Sequence, residues 1–202
     1  MLRLAVVRQD FQVEYAMETG GMAKTVDDVL KYWYETLTPE DWWRKSDEVD
    51  ADIRARFLDL YRQAVAGDLN DWADDPAGVL ALVIVLDQFP RNMFRDTADM
   101  YASDEQAIAI ARKAVERGLD KQIPKERRLF LYLPFEHSEK LADQDLCCDL
   151  VAALGDDQAF EFAEAHRRIV RRFGRFPHRN ALLERVSTAE ETEFLKEDGS
   201  SF

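Results

Sequence analysis

Three short stretches gather the residue types that bind anions and move protons. Gln88-Phe89-Pro90-Arg91-Asn92 and Gly174-Arg175-Phe176-Pro177-His178-Arg179-Asn180 place an aromatic residue, a proline, an arginine and an asparagine in the same order, and Pro134-Phe135-Glu136-His137-Ser138-Glu139 sets a histidine among carboxylates. The planar fork of arginine suits a carboxylate or phosphate. A histidine near its unperturbed pKa of about 6.5 can take or give a proton at neutral pH. All three histidines of the chain, His137, His166 and His178, fall within or beside these stretches. The candidates for catalysis are therefore His137, His178 and Glu136. The candidates for holding a small anion are Arg91, Asn92, Glu136, His137, Arg175, His178, Arg179 and Asn180.

Other chemistries find less support. No histidine has a glutamate three residues before it and no HExxH occurs, so the ligand pairs of helical di-iron proteins and zincins are missing. No metal or cofactor is expected. Ser138 adjoins His137, but neighbours on a helix point about 100° apart, and there is no GxSxG elbow. Cys147 and Cys148 are adjacent, which is wrong for a CxxC motif and unfavourable for a bridge, so both are expected as reduced thiols in a helix.

The net charge of −13 argues against nucleic acid and anionic membranes as partners. The exception lies between His166 and Leu183, where six arginines occur without a lysine, aspartate or glutamate; removing that +6 island leaves −19 on the rest. Either these arginines pair with the acidic remainder, or some face an anion site. No apolar run approaches the roughly 18 residues of a membrane span, and Met1 to Val7 is too short for a signal peptide. The expected location is the cytoplasm.

The elements that must position these residues are helices. Residues 1–23 show no sustained period and are expected to be an extension of uncertain order, leaving residues 24–202 as a single all-helical domain. Thr25-Val26-Asp27-Asp28 opens a helix to about Leu37, with Val29, Tyr32, Trp33 and Thr36 on one side, and Thr38-Pro39-Glu40-Asp41 starts a short turn. An amphipathic helix runs from Asp50 to Gly67. Asp75-Pro76 opens a buried apolar helix ending at the first Phe-Pro step, where Asp87/Arg91 and Gln88/Asn92 stand four apart. Ser103-Asp104-Glu105-Gln106 fits a capping box. Pro134 must kink or restart the next helix, which puts Glu136-His137-Ser138-Glu139 on a first turn with free N–H groups. The arginine helix carries Phe162, His166, Ile169 and Phe173 on one face. Gly174 ends it, Pro177 begins another turn, and a last helix opens at Ser187 or Thr188.

Leu86-Asp87-Gln88-Phe89-Pro90-Arg91-Asn92 with Phe94-Arg95, Leu131-Tyr132-Leu133-Pro134-Phe135-Glu136-His137-Ser138-Glu139, and His166 with Arg175-Phe176-Pro177-His178-Arg179-Asn180 closely resemble, in order, the motifs of the bacterial family catalogued as domain of unknown function 924. The likeness covers roughly residues 24 to 202. It implies an all-α fold of antiparallel helix pairs in a right-handed array like that of tetratricopeptide-repeat (TPR) proteins, although no 34-residue repeat is visible. Glu184 stands where the family usually has glycine. The resemblance brings no reaction with it.

Two functions from different classes follow. In one, the three motifs converge on a pocket for a small anionic molecule, phosphate or carboxylate, with N–H donors added by the turns after Pro134 and Pro177. In the other, the motifs are polar struts of a TPR-like module whose groove binds a peptide, a basic one given the acidic remainder. His137 and His166 on apolar helix faces also suit a neutral, hydrogen-bonded core role. If His137, His178 and Arg91 open onto one cavity, the pocket reading gains.

Overall fold

The computed structural model describes residues 24–201, so the expected N-terminal extension, residues 1–23, lies outside the described residues. Thr25 caps α1 (Val26–Lys31): its hydroxyl accepts from the Asp28 N–H and the Asp28 carboxylate accepts from its own N–H. The chain continues through a wider, π-type turn (Tyr32–Thr36) into α2 (Pro39–Trp43), capped in the same way by Thr38 and Asp41. Thr36 faces solvent instead of sharing the buried side with Val29, Tyr32 and Trp33. Ser46 caps α3 (Asp47–Ala66), which starts one turn earlier than Asp50 and ends at Gly67 in the left-handed region.

Asp75 caps α4 (Pro76–Val83) with two hydrogen bonds of 3.0 Å to the Ala77 and Gly78 N–H groups. This helix passes through a π turn (Ile84–Gln88) into α5 (Phe89–Met93), and every residue from Gly78 to Pro90 is buried. Burial on all sides explains why the stretch is apolar without alternation. Then come α6 (Asp104–Glu116), α7 (Leu129–Glu136), α8 (Leu141–Ala152), α9 (Asp157–Phe173) and α10 (Ala189–Phe194). No strand occurs among the described residues, and the fold is all-α in one domain. A main core spans the helices from α1 to the first half of α9, and a small cluster of Ile169, Val170, Phe176 and Phe194 seats the C-terminal segment on the rest of α9.

Two expected helix starts are corrected. Ser103 precedes α6 but makes no cap; its hydroxyl donates to the Leu86 carbonyl instead, at 2.5 Å. Pro90, four residues after Leu86, has no N–H to give that carbonyl, so the hydroxyl fills the gap left by the proline. Pro134 lies inside α7, and Glu136-His137 ends that helix instead of beginning one. The His137 N–H is bonded to the Leu133 carbonyl at 2.9 Å and the Ser138 N–H to Phe135 at 3.3 Å, so the donors of these two residues are already used. Beyond Pro177 the chain makes one 3₁₀ turn (Pro177–Arg179), whose following N–H groups bond back to Phe176 and Pro177.

The turn after the last motif carries strain. The Arg185 N–H closes onto the Asn180 carbonyl at 2.8 Å, which drives exposed Glu184 to φ 53°, in the left-handed region. A residue with a Cβ pays roughly 1–2 kcal/mol there, which glycine escapes. Glu184→Gly is therefore expected to stabilise the protein by about 0.5–1 kcal/mol after allowing for the greater freedom of glycine in the unfolded chain. Urea unfolding at constant m checks this.

Candidate functional site

The site is built around the carboxylate of Asp87, which the buried α4–α5 rod carries into the interior with no exposure at all. An unpaired charge there would be prohibitive. The Nδ1–H of His137 donates to it at 2.8 Å, and the Gln88 amide donates to its other oxygen. Arg91 stands 3.6 Å away while donating at 2.6 Å to the Asp87 backbone carbonyl. Burial pushes the Asp87 acid up, but the charges of Arg91 and His137 and the hydrogen bonds of His137 and Gln88 outweigh it and hold the acid below the usual carboxylate range. Arg91 also forks onto Asp104 at the head of α6, at 2.9 and 3.1 Å.

His137 is held at the end of α7 by a side chain from α8. The amide of Gln144, fully buried, donates its two protons to the carbonyls of Glu136 and Ser138 at 2.6 and 2.7 Å. Those are carbonyls that a helix end leaves without partners. A carboxylate can only accept, so Asp87 fixes the His137 proton on Nδ1 and leaves Nε2 as the basic nitrogen. Burial and Arg91 press the His137 pKa down against the pull of Asp87, so the ring is neutral at pH 7.

Arg179 comes from the 3₁₀ turn of the last motif. Its guanidinium lies between the rings of Tyr101 and Phe176, with 4.6 and 4.5 Å to their centroids. A planar cation held against ring faces turns its edge to hydrogen-bond partners. That edge stands 3.5 Å from Asp104, whose oxygens Arg91 already holds, and buried Nε has no hydrogen-bond partner among the described residues. Burial first, and then Arg91, lower the Arg179 pKa.

Three further groups complete the polar wall. Burial, helped by the nearby Asp87 charge, raises the Glu136 pKa to about 8, so this carboxyl is mainly protonated at pH 7. The Nδ1 of His166 faces the Phe162 carbonyl at 2.9 Å and lies 3.4 Å from Glu136; burial lowers its pKa to about 3. Burial and then Arg179 lower the His178 pKa to about 4.

These groups open onto one cavity of about 580 Å³. Of the expected site residues, Arg91, Asn92, Glu136, His137, His178 and Arg179 line it. Asn92 does so while donating to Asp50 on α3 at 2.8 Å. Arg175 and Asn180 do not line it. Arg175 forks onto Glu191 at 2.6 and 2.7 Å, and the Asn180 amide turns to Ser187 at 3.0 Å, so both act as struts for α10. The other arginines of the island that reach a carboxylate do so outside the cavity: Arg167 and Arg171 meet Asp145, and Arg172 meets Glu190. A further strut joins two motifs, since Glu139 accepts from the Phe176 N–H at 2.8 Å and from both arms of Arg185 at 2.7 and 2.9 Å. Asp104, Tyr101 and the aromatic wall of Trp42, Trp43 and Phe162 are site residues that the sequence does not single out. No group of three or more metal-ligating side chains is assembled among the described residues.

The cavity offers a base, His137 oriented by Asp87; a neutral carboxyl, Glu136; and a cation with a vacant donor edge, Arg179. Residues 29–199 match the sequence profile of DUF924, described as a bacterial protein of unknown function. A solved structure of a protein of unknown function from Agrobacterium tumefaciens is similar at 42% identity and a TM-score of 0.81, over 85% of this chain and 96% of that one. No curated protein matches the chain.

The raised Glu136 pKa gives a pH signature. Folded Glu136 keeps its proton to about pH 8 while the unfolded carboxyl loses it near pH 4.5, so its contribution to stability falls as pH rises between those values. The three histidines, whose folded pKa values lie below the ordinary value near 6.5, bind protons only in the unfolded state there and oppose this trend until about pH 7.5, above which they are neutral in both states. The Glu136 contribution itself should decline by up to ~1.4 kcal/mol per pH unit. Glu136→Gln leaves the histidine contribution in place and removes this decline, so the stability of the variant relative to the wild type should rise between pH 6.6 and 7.8, as measured by urea unfolding of both.

Proposed function

We propose that this chain, which belongs to the bacterial DUF924 family of proteins of unknown function, binds a small carboxylate or phosphate in the cavity, with Arg179 as its anchor. The carrying observation is the state of Arg179: buried, clamped between two rings, and left with a distant share of a carboxylate that Arg91 already occupies. A buried cation with unfilled donors is costly, and a charge-assisted bond to an entering anion relieves that cost. Because the Tyr101 and Phe176 rings fix the guanidinium plane, the donors are in place before the ligand arrives.

His137 gives the binding a pH dependence. A neutral ring faces the cavity in the free protein, and a nearby anion favours its protonated form. Binding then takes up a proton, so affinity falls as pH rises. Asp87 stays anionic throughout and stabilises the imidazolium. The same dyad would serve as a base toward a bound substrate, with Glu136 as the proton donor.

A second reading, a TPR-like module that takes a basic peptide, draws on the net charge of −13 carried mainly outside the arginine island. Such binding would be indifferent to Arg179. The free thiols of Cys147 and Cys148, buried in α8, suit a reducing compartment such as the cytoplasm. Among the described residues no helix is long and apolar enough to cross a membrane.

A thermal-shift screen of carboxylate and phosphate metabolites tests the proposal. A ligand at ten times its Kd should add about 1.4 kcal/mol of stability. Arg179→Lys, which keeps the charge but not the fork, should lose most of that effect. For a carboxylate hit, affinity should weaken by up to tenfold between pH 6 and pH 8. A stabilising anion whose effect survives Arg179→Lys contradicts the assignment.

A further inference from the structure

The cavity is larger than an anion needs, and its walls change character along two helices. On α7 its lining runs from Leu129 through Leu133 to Glu136 and His137; on α9, beyond Gln158 in the first turn, it runs from Ala159 through Phe162 to His166. Both sequences advance by about one helical turn per step and go from apolar to polar. The polar ends coincide, since His166 Nδ1 lies 3.4 Å from the Glu136 carboxyl. Eight residues of helix separate Leu129 from His137, so the apolar wall extends roughly 12 Å from the polar end.

The far end carries a second feature. Trp42 and Trp43 on α2 line it against Phe130, with Trp43 parallel to that ring at 5.8 Å, yet Trp43 is 61% exposed and Phe162 is 51% exposed. Large rings left in water beside a cavity that they line gain from being covered. Of the two polar side chains that line the cavity beside Ala159, Asp156 and Gln158, the first is already spent on capping α9 through the Ala159 N–H at 3.0 Å.

We infer that the ligand is amphipathic: an anionic head held at Arg179 and His137, carrying an aliphatic or aryl tail laid along Leu133, Phe162 and the α2 tryptophans. The head rests on the proposed anion site; the tail is the new element. A volume of about 580 Å³ accommodates such a molecule, whereas acetate or inorganic phosphate would leave most of it filled by water. The ligand's chemistry is that of a short acyl or arylalkyl carboxylate, or a phosphate monoester of similar size.

Calorimetric titration of the full chain with octanoate, phenylpropanoate, acetate and octanol tests this. At least one tailed carboxylate should bind 30-fold or more tighter than acetate, each buried methylene contributing up to ~0.8 kcal/mol. Trp43→Ala and Phe162→Ser, both at exposed positions and each checked for an unchanged circular-dichroism spectrum, should each weaken the tailed ligand threefold or more and leave acetate unchanged. Tailed carboxylates binding no tighter than acetate, with both lost in Arg179→Lys, would overturn the tail and leave the anion site standing. Octanol binding as tightly as octanoate, or no carboxylate binding at all, would overturn the anion site and the inference together.

Discussion

A carboxylate without exposure is the constraint on which the arrangement depends. Asp87 rides on the most apolar helix of the protein, and such a charge survives only with partners on every side. Those partners come from distant parts of the chain: His137 from the end of α7, Arg91 from α5, and behind them Asp104 from α6. Each has to be in place for the others to be tolerable. Arg91 neutralises two carboxylates at once, and that leaves Arg179 with an incomplete share of Asp104. The vacant donor edge is thus a consequence of how the buried charges are shared, not an isolated feature of one residue.

The three motifs divide their labour accordingly. Within each, some side chains face the cavity and others fasten the backbone that presents them. Arg91, His137 and Arg179 belong to the first group. Glu139, which ties the end of α7 to Phe176 and Arg185, belongs to the second, as do Arg175 and Asn180 on Glu191. The opposition between a pocket and a set of struts therefore dissolves: the struts are what hold pocket residues from α5, α7 and the Pro177 turn in register. A proline that interrupts helical hydrogen bonding serves the same end. Pro90 frees the Leu86 carbonyl for Ser103, which pins the head of α6 and hence Asp104 against the Asp87 segment.

How much of this was legible in the sequence depends on the range of the interaction. Local signals were clear: Thr25 with Asp28, Asp75 before Pro76, Gly67 and Gly174 as left-handed stops, and the Asp87–Arg91 spacing all correspond to contacts or conformations in the fold. Gln88 and Asn92, spaced in the same way, do not pair, because Asp87 and Asp50 offer each a charged partner. Ser103 and the turn of Glu136-His137 were misleading because a serine or a proline at a helix boundary has several uses, and tertiary hydrogen bonding selects among them. Asp104, Gln144 and the tryptophans of α2 gave no signal, since their partners lie on other helices. The unusual glutamate at position 184, by contrast, marked a real left-handed turn.

The most direct measurement is the nitrogen spectrum of the His137 imidazole, taken with ¹⁵N-labelled protein during titration with a carboxylate ligand. The expected result is a neutral ring protonated on Nδ1 in the free protein at pH 7, titrating below the usual histidine range, and a pKa that rises as the anion occupies the cavity. A free ring protonated on Nε2, or a His137 titration untouched by a ligand that demonstrably binds, would contradict it.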